Sequence, residues 1–280
     1  MKRRFIQCDV FSDTPAKGNG LAVVLDSEGL TTQDMQAFAA RTNLAETTFL
    51  LPPTTAEADY RVRIFTPARE MPFAGHPTLG SCMSWLHAGS TPITSGIVRQ
   101  ECAIGIVEID ISSENPAFVA PDTRITPMPP EPRVLRQSAM GLSDRQVKTV
   151  VHLENGPEWH LFELHSAADV LAVDSSRTQW PTHAGTTLIG AHPADAECDY
   201  EVRNIAPSSG MSEDPITGSL NSAIAKWLAH ENRLPDQTLI AQGTAIGRLG
   251  RVSIKRDSQE PDKLWIGGAV NIVIEGTVDI

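Results

Sequence analysis

Two stretches of this 280-residue chain decide its fold: AEADYRVRIFTP (Ala56 to Pro67) and AECDYEVRNIAP (Ala196 to Pro207). They agree at 7 of 12 positions and lie 140 residues apart, half the length of the chain. In the first, Tyr60, Val62 and Ile64 alternate with Arg61 and Arg63, the period of a half-buried strand. The similarity continues past Pro67, where Glu70, Pro72 and Gly75 match Glu213, Pro215 and Gly218 after a three-residue insertion. A repeat of this length predicts a duplicated domain.

Each copy sits in the same series of signals. Strands at Phe5 to Val10 and Leu21 to Leu25 flank a KGNG turn, and a helix is predicted over Thr32 to Arg41. After the first repeat strand, a helix is expected to begin at Pro77 and end near Gly89, with Leu79, Cys82, Met83 and Leu86 on its apolar face. After the second, Ser219 reads as an N-cap, followed by a stripe of Leu220, Ala223, Ile224, Trp227 and Leu228. A short helix after Ser166 and strands around TTLIGA, GRVSIK, KLWIGG and VNIVIEG complete the second half. The fold class is therefore α+β, with two pseudo-symmetric, strand-rich halves. Residues 1–118 form the first half and 134–269 the second. The proline-rich residues 119–133 (PMPPEP included) form a linker, and the last strand, about 270–280, is free to return to the first half.

Composition narrows the partners. A net charge of −11 disfavours nucleic acid and anionic membrane surfaces. It does not disfavour a small anionic substrate. Cys8, Cys82, Cys102 and Cys198 have neither zinc nor disulfide spacing, which points to a reducing cytoplasm. MKRRFIQCDVF turns polar too early for a signal peptide, and the uncharged run Met71 to Val98 is too broken by Pro and Gly to span a bilayer. No phosphate-binding loop, dinucleotide fingerprint, HExxH or GxSxG is present, so neither a cofactor nor a metal is expected. The histidines other than His76 (His87, His152, His160, His165, His183, His192 and His230) lack ligand spacing and read as surface or core residues.

The chemistry is expected where the two halves match and then differ. Gly75–His76 and Gly218–Ser219 stand at the two helix starts, whose open N–H groups suit a carboxylate; capping alone is the competing explanation for His76 and Ser219. With the Thr-Thr pairs of ETTFLL and GTTLIG aligned, Glu46 falls opposite Gly185. An apolar setting raises a carboxyl pKa and suits a general acid or base, though a surface glutamate at a strand entrance is the plainer alternative. Asp214 falls opposite Met71, either as a turn residue or as a partner for an imidazole or a substrate amine. QGTAIGRLGR (Gln242 to Arg251) reads as turn glycines or as further contacts to an anion.

DVFSDTPAKGNGLAVVL, NLAETTFLL, RIFTPAREMPFAGHPTLGS, EDPITGS and QGTAIGR together resemble, in order and over nearly the whole chain, the PhzF family of phenazine-biosynthesis isomerase-like proteins. The resemblance implies the diaminopimelate-epimerase fold, each half a strand-rich barrel around a central helix with the site in the cleft. The epimerases exchange protons through two cysteines, whose positions here match Ala74 and Thr217. PhzF-like enzymes use one glutamate instead, which maps onto Glu46, with His76, Asp214 and Ser219 as further site residues and Gly75 and Gly218 supplying backbone N–H groups. Gly20 replaces the family's usual proline, and TGSLNSA is bulkier than the usual continuation. The implied activity is a cofactor-independent isomerase that shifts a proton within a small carboxylic acid. The alternatives are a catalytically silent carboxylate-binding protein and an amino-acid epimerase or racemase. A homodimer is left open as the assembly.

Overall fold

The computed structural model describes residues 1–178, 185–206 and 212–280. His183 and Pro207 lie outside the described residues. The chain forms two compact units, Met1–Val119 with Gly267–Ile280 and Ala120–Ile266.

The first unit contains β1 (Lys2–Val10), β2 (Asn19–Val24), α1 (Thr32–Thr42), β3 (Glu46–Leu51), β4 (Tyr60–Phe65) and β5 (Glu70–Met71). It continues with α2 (Gly75–His87), β6 (Ile97–Cys102), β7 (Gly105–Asp110), β8 (Ala117–Val119) and a last strand from the C-terminus, β17 (Val270–Asp279). The second contains β9 (Arg124–Pro127), α3 (Pro130–Ala139), β10 (Val147–Glu154), β11 (Glu158–Leu164), α4 (Ala167–Ala172) and β12 (Thr186–Ala191). Then follow β13 (Tyr200–Ile205), α5 (Gly218–His230), β14 (Gln237–Gln242), β15 (Gly250–Arg256) and β16 (Leu264–Gly267).

The two ladders repeat one pattern. From β17 through β1, β2, β3, β4 and β6 to β7, the pairings run antiparallel, antiparallel, parallel, antiparallel, parallel, antiparallel. From β9 through β10, β11, β12, β13 and β14 to β15 the same series recurs. Registers agree as well. Thr47 pairs with Phe65 as Thr186 pairs with Ile205, which places Gly185 at the position of Glu46. Ile64 pairs with Met71 as Asn204 bridges to Asp214, which places Asp214 at the position of Met71.

The first ladder curls around α2, which packs on β1, β2, β3, β6, β8 and β17. Gly80 is where this wrapping is tightest. A Cβ there would sit 2.6 Å from Leu21 Cδ2 and 2.9 Å from Cys8 Sγ. In the second unit α5 takes the central place, burying Leu220, Ala223, Ile224, Trp227 and Leu228.

The repeated aspartate and arginine both have structural work. Asp59 accepts the Arg99 N–H at 2.6 Å and Asp199 accepts the Leu239 N–H at 2.7 Å, each tying the repeat strand to its parallel neighbour. Arg63 pairs with Glu70 and reaches Thr32 at the head of α1. Arg203 pairs with Glu213 and reaches the carbonyls of Val170 and Val173 at the tail of α4.

Several sequence expectations need adjustment. α2 begins at Gly75, two residues before Pro77, which becomes its third residue. α5 begins at Gly218 with Thr217 as N-cap, so Ser219 is a helical residue and not the cap. On α2 only Leu79 and Cys82 of the expected apolar face are fully buried, because the helix is enclosed around its first two turns and not along one stripe. Residues 119–133 carry the strand β9, paired with β10, and open α3, whereas the sequence reads them as a linker. Proline does not prevent this helix, since Pro129 is its N-cap and Pro130 and Pro132 lie in the first turn, where no intrahelical N–H bond is lost. Among the described residues no helix is long and apolar enough to cross a membrane.

Candidate active site

The singled-out residues fall into two groups, Glu46, Gly75 and His76 in the first unit and Asp214, Gly218 and Ser219 in the second.

Glu46 opens β3, beside Leu21 of the parallel strand β2. His76 lies in the first turn of α2, and its Nε2 is 3.2 Å from Glu46 Oε2, with the side chains 6% and 17% exposed. His76 Nε2 nevertheless has no hydrogen-bond partner, so the contact is a close approach without hydrogen-bond direction. On the other edge of the ring, Asn19 Nδ2 lies 3.3 Å from Nδ1. An amide nitrogen only donates, so Nδ1 accepts and the single proton of the neutral ring sits on Nε2. A neighbouring carboxylate favours imidazolium, whereas burial disfavours it. Burial dominates and pushes His76 down to about 3, leaving a neutral imidazole at neutral pH. α2 has Ala74 as N-cap and no side-chain cap, so His76 does not cap its own helix.

In the second unit Asp214 donates its backbone N–H to Asn204 O and its Oδ2 accepts from Thr217 Oγ1 at 2.5 Å. Behind it lies a buried amide network. Gln242 Nε2 reaches Asp214 O and Thr217 Oγ1, while its Oε1 accepts from the Thr217 N–H and from Asn221 Nδ2. α5, like α2, has no side-chain cap, so Ser219 is not a capping residue either. Its carbonyl is instead held by Asn155 Nδ2 at 2.8 Å. The turn after Gln242 is committed to this packing. Gly243 has φ of 88°, and a Cβ there would meet Pro215 O at 2.7 Å.

The structure thus brings Glu46 and His76 together, and it adds Asn19, Asn204, Asn221 and Gln242, none of them a site residue expected from the sequence, and Thr217, expected there only as the match to an epimerase cysteine. For Asn19 and Gln242 the signal was present as KGNG and QGTAIGR, but their glycines drew the reading toward turns. The expected cysteine positions are Ala74 and Thr217, the N-caps of the two central helices. Burial pushes all four existing thiols upward, Cys8 to about 12, away from the thiolate state that proton exchange needs. Among the described residues no group of three or more His, Cys, Asp and Glu is placed to hold a metal ion. Of the other histidines, His152 and His160 lie side by side with their rings tilted by 50°, His192 pairs with Glu201, and His87 meets Glu275 on the surface.

A duplicated ladder wound on two central helices is the diaminopimelate-epimerase-like architecture, which recurs in solved PhzF-family and epimerase structures. One, a phenazine biosynthesis protein of the PhzF family from Bacillus anthracis, superposes with a TM-score of 0.83 at 23% identity, covering 100% of both chains. Residues 8–276 match the PhzC-PhzF model, described as phenazine biosynthesis-like protein. This chain belongs to that family. It is 34% identical to antisense-enhancing sequence 1 of Schizosaccharomyces pombe, over 97% of each chain. It is 31% identical to trans-2,3-dihydro-3-hydroxyanthranilate isomerase of Pseudomonas aeruginosa, over 89% of this chain and 88% of that one. By this membership the chain is an isomerase.

Proposed function

We propose that the protein moves a proton between two carbons of a small carboxylic acid, unsaturated or amino-bearing, with Glu46 removing the proton and returning it. The observation that carries this reading is the contact of Glu46 Oε2 with a neutral His76 at the uncapped start of α2. A neutral Nε2–H orients a substrate oxygen or relays a proton without adding a competing positive charge, and the helix start favours negative charge developing on the substrate. Asp214 is proposed to orient substrate, and Gly75, Gly218 and Ser219 are proposed to bind a carboxylate. One base suits a shift on a single face of the substrate better than stereoinversion. The raised thiols and the absence of cysteine at both helix caps speak against a two-cysteine racemase. No cofactor enters this scheme, and the cytoplasm and a homodimer belong to the same proposal.

The substrate named in the Pseudomonas aeruginosa relative is the first compound to test. In deuterated water the wild type is expected to isomerise it, or another small unsaturated acid, with deuterium entering at the protonated carbon to the extent that the proton on Glu46 exchanges with solvent before its return. Glu46→Gln is expected to lose about 100-fold or more in turnover. Ligand binding by thermal shift with neither conversion nor deuterium entry would instead mark a silent carboxylate-binding protein and overturn the catalytic reading.

A further inference from the structure

Thr217 Oγ1 lies 2.9 Å from Asn204 Nδ2, 3.1 Å from Gln242 Nε2 and 2.5 Å from Asp214 Oδ2. A hydroxyl has one proton and two lone pairs, so the orientation of the two amides decides where that proton goes. The neighbours of Gln242 settle its amide. Its Oε1 faces the Thr217 backbone N–H at 3.1 Å and Asn221 Nδ2 at 2.8 Å, and a backbone N–H can only donate. Nε2 is therefore the end turned to Thr217 Oγ1 and to the Asp214 carbonyl. The Asn204 amide takes the second lone pair. With both lone pairs occupied, the hydroxyl proton has one acceptor left, Asp214 Oδ2.

We propose that Thr217 is a positioning residue for Asp214, its hydroxyl proton committed to the Asp214 carboxylate by Gln242 and Asn204. This rests on the reading above, in which Asp214 touches substrate. The arrangement does two things. It fixes the rotation of the carboxylate on its side chain, and it makes Oδ2 a permanent acceptor, which favours the ionised form. All four partners lie within one unit, with Gln242 fully buried and Asn204 and Thr217 3% and 9% exposed, so water does not compete well for these bonds.

The test is the carboxyl-carbon resonance of Asp214 in the full chain labelled with 13C-aspartate, assigned by its loss in Asp214→Asn. In Thr217→Val the midpoint of its titration is expected to move up, on the order of one pH unit, because a bond to the charged form is lost. Thr217→Ser, which keeps the hydroxyl, is expected to restore the wild-type curve. Asn204→Ala frees one lone pair on the hydroxyl and is expected to give a smaller shift in the same direction. It also serves as the deciding variant if Thr217→Val does not fold. An Asp214 curve unchanged in both Thr217→Val and Asn204→Ala, or in Asn204→Ala alone if Thr217→Val is unfolded, would overturn the proposal whatever the activity does. A second arm follows turnover of a substrate that the wild type converts. There Thr217→Val should lower kcat about tenfold with recovery in Thr217→Ser. If the resonance shifts and kcat does not, Asp214 has no part in catalysis and the functional reading fails while the positioning stands.

Discussion

The same arginine–glutamate pair occurs once in each half of the molecule, and the two copies sit in opposite surroundings. Arg63 and Glu70 are 25% and 40% exposed, whereas Arg203 and Glu213 are 4% and 0% exposed. Both pairs fasten the repeat strand to a peripheral helix, at the head of α1 in one unit and the tail of α4 in the other. Only the second copy has been drawn into the core, where it occupies hydrogen-bond acceptors that water would otherwise have satisfied. Duplication therefore preserved the scaffold's connections while their energetic weight changed. The proposed site residues show the opposite behaviour: Glu46 against Gly185 and Asp214 against Met71 are equivalent positions whose chemistry differs outright.

Breaking the buried copy is the harshest test of this contrast. Arg203→Met leaves Glu213 in the core without its partner and is expected to cost about 3–5 kcal/mol in denaturant unfolding, whereas Arg63→Met should cost less than about 1 kcal/mol. Equal losses would mean that the two copies still carry equal weight. The aspartates that precede the repeat tyrosines give a smaller difference. Asp59 accepts two backbone N–H groups, from Ile93 and Arg99, and Asp199 accepts the Leu239 N–H. At about 1.5–3 kcal/mol for each bond to a charged acceptor, Asp59→Ala should destabilise more than Asp199→Ala, measured by the same unfolding curves.

The next expectation sharpens the contrast through pH. His76 has a folded-state pKa lowered to about 3 from an ordinary 6.5, so between those values the unfolded chain binds more protons than the folded one. Its contribution to stability is complete above about pH 6.5 and is lost progressively as pH falls toward 3. Thermal melts should therefore drop less steeply with acid in His76→Asn than in the wild type. Parallel slopes would show that His76 is not buried neutral. The smallest effect expected is that of Asn19→Ala, which removes the Asn19 contact to His76 Nδ1 and should cost about 1 kcal/mol or less in stability, while releasing the ring to take either tautomer.

The architecture was readable because the repeat is written in residues whose roles are local and geometric. Asp59 and Asp199 hold the neighbouring strand, the alternating Tyr60, Val62 and Ile64 face the core, and Gly80 permits the close approach of strands to α2. Equivalent letters at a fixed offset could be aligned without coordinates, and the strand registers agree with that alignment at Glu46 and Asp214. α3 was not readable, because a stretch rich in proline resembles a linker unless the prolines are known to sit in the first helical turn. Gln242 was not readable either. Its importance comes from four contacts to residues 21 to 28 positions away, which no local pattern encodes. The pairing of Glu46 with His76 lay between these cases: each residue stood out in its own motif, but the 3.2 Å approach is a product of the β3–α2 packing.

The central claim is that Glu46 carries the proton. Its most direct test is turnover in deuterated water by wild type and Glu46→Gln, on trans-2,3-dihydro-3-hydroxyanthranilate or on any small unsaturated carboxylic acid that the wild type converts, with melting curves recorded alongside. The account predicts conversion by the wild type, with solvent deuterium in the product to the extent that the proton on Glu46 exchanges before its return, and a fall of about 100-fold or more in Glu46→Gln at an unchanged melting temperature. Full turnover in Glu46→Gln would contradict it.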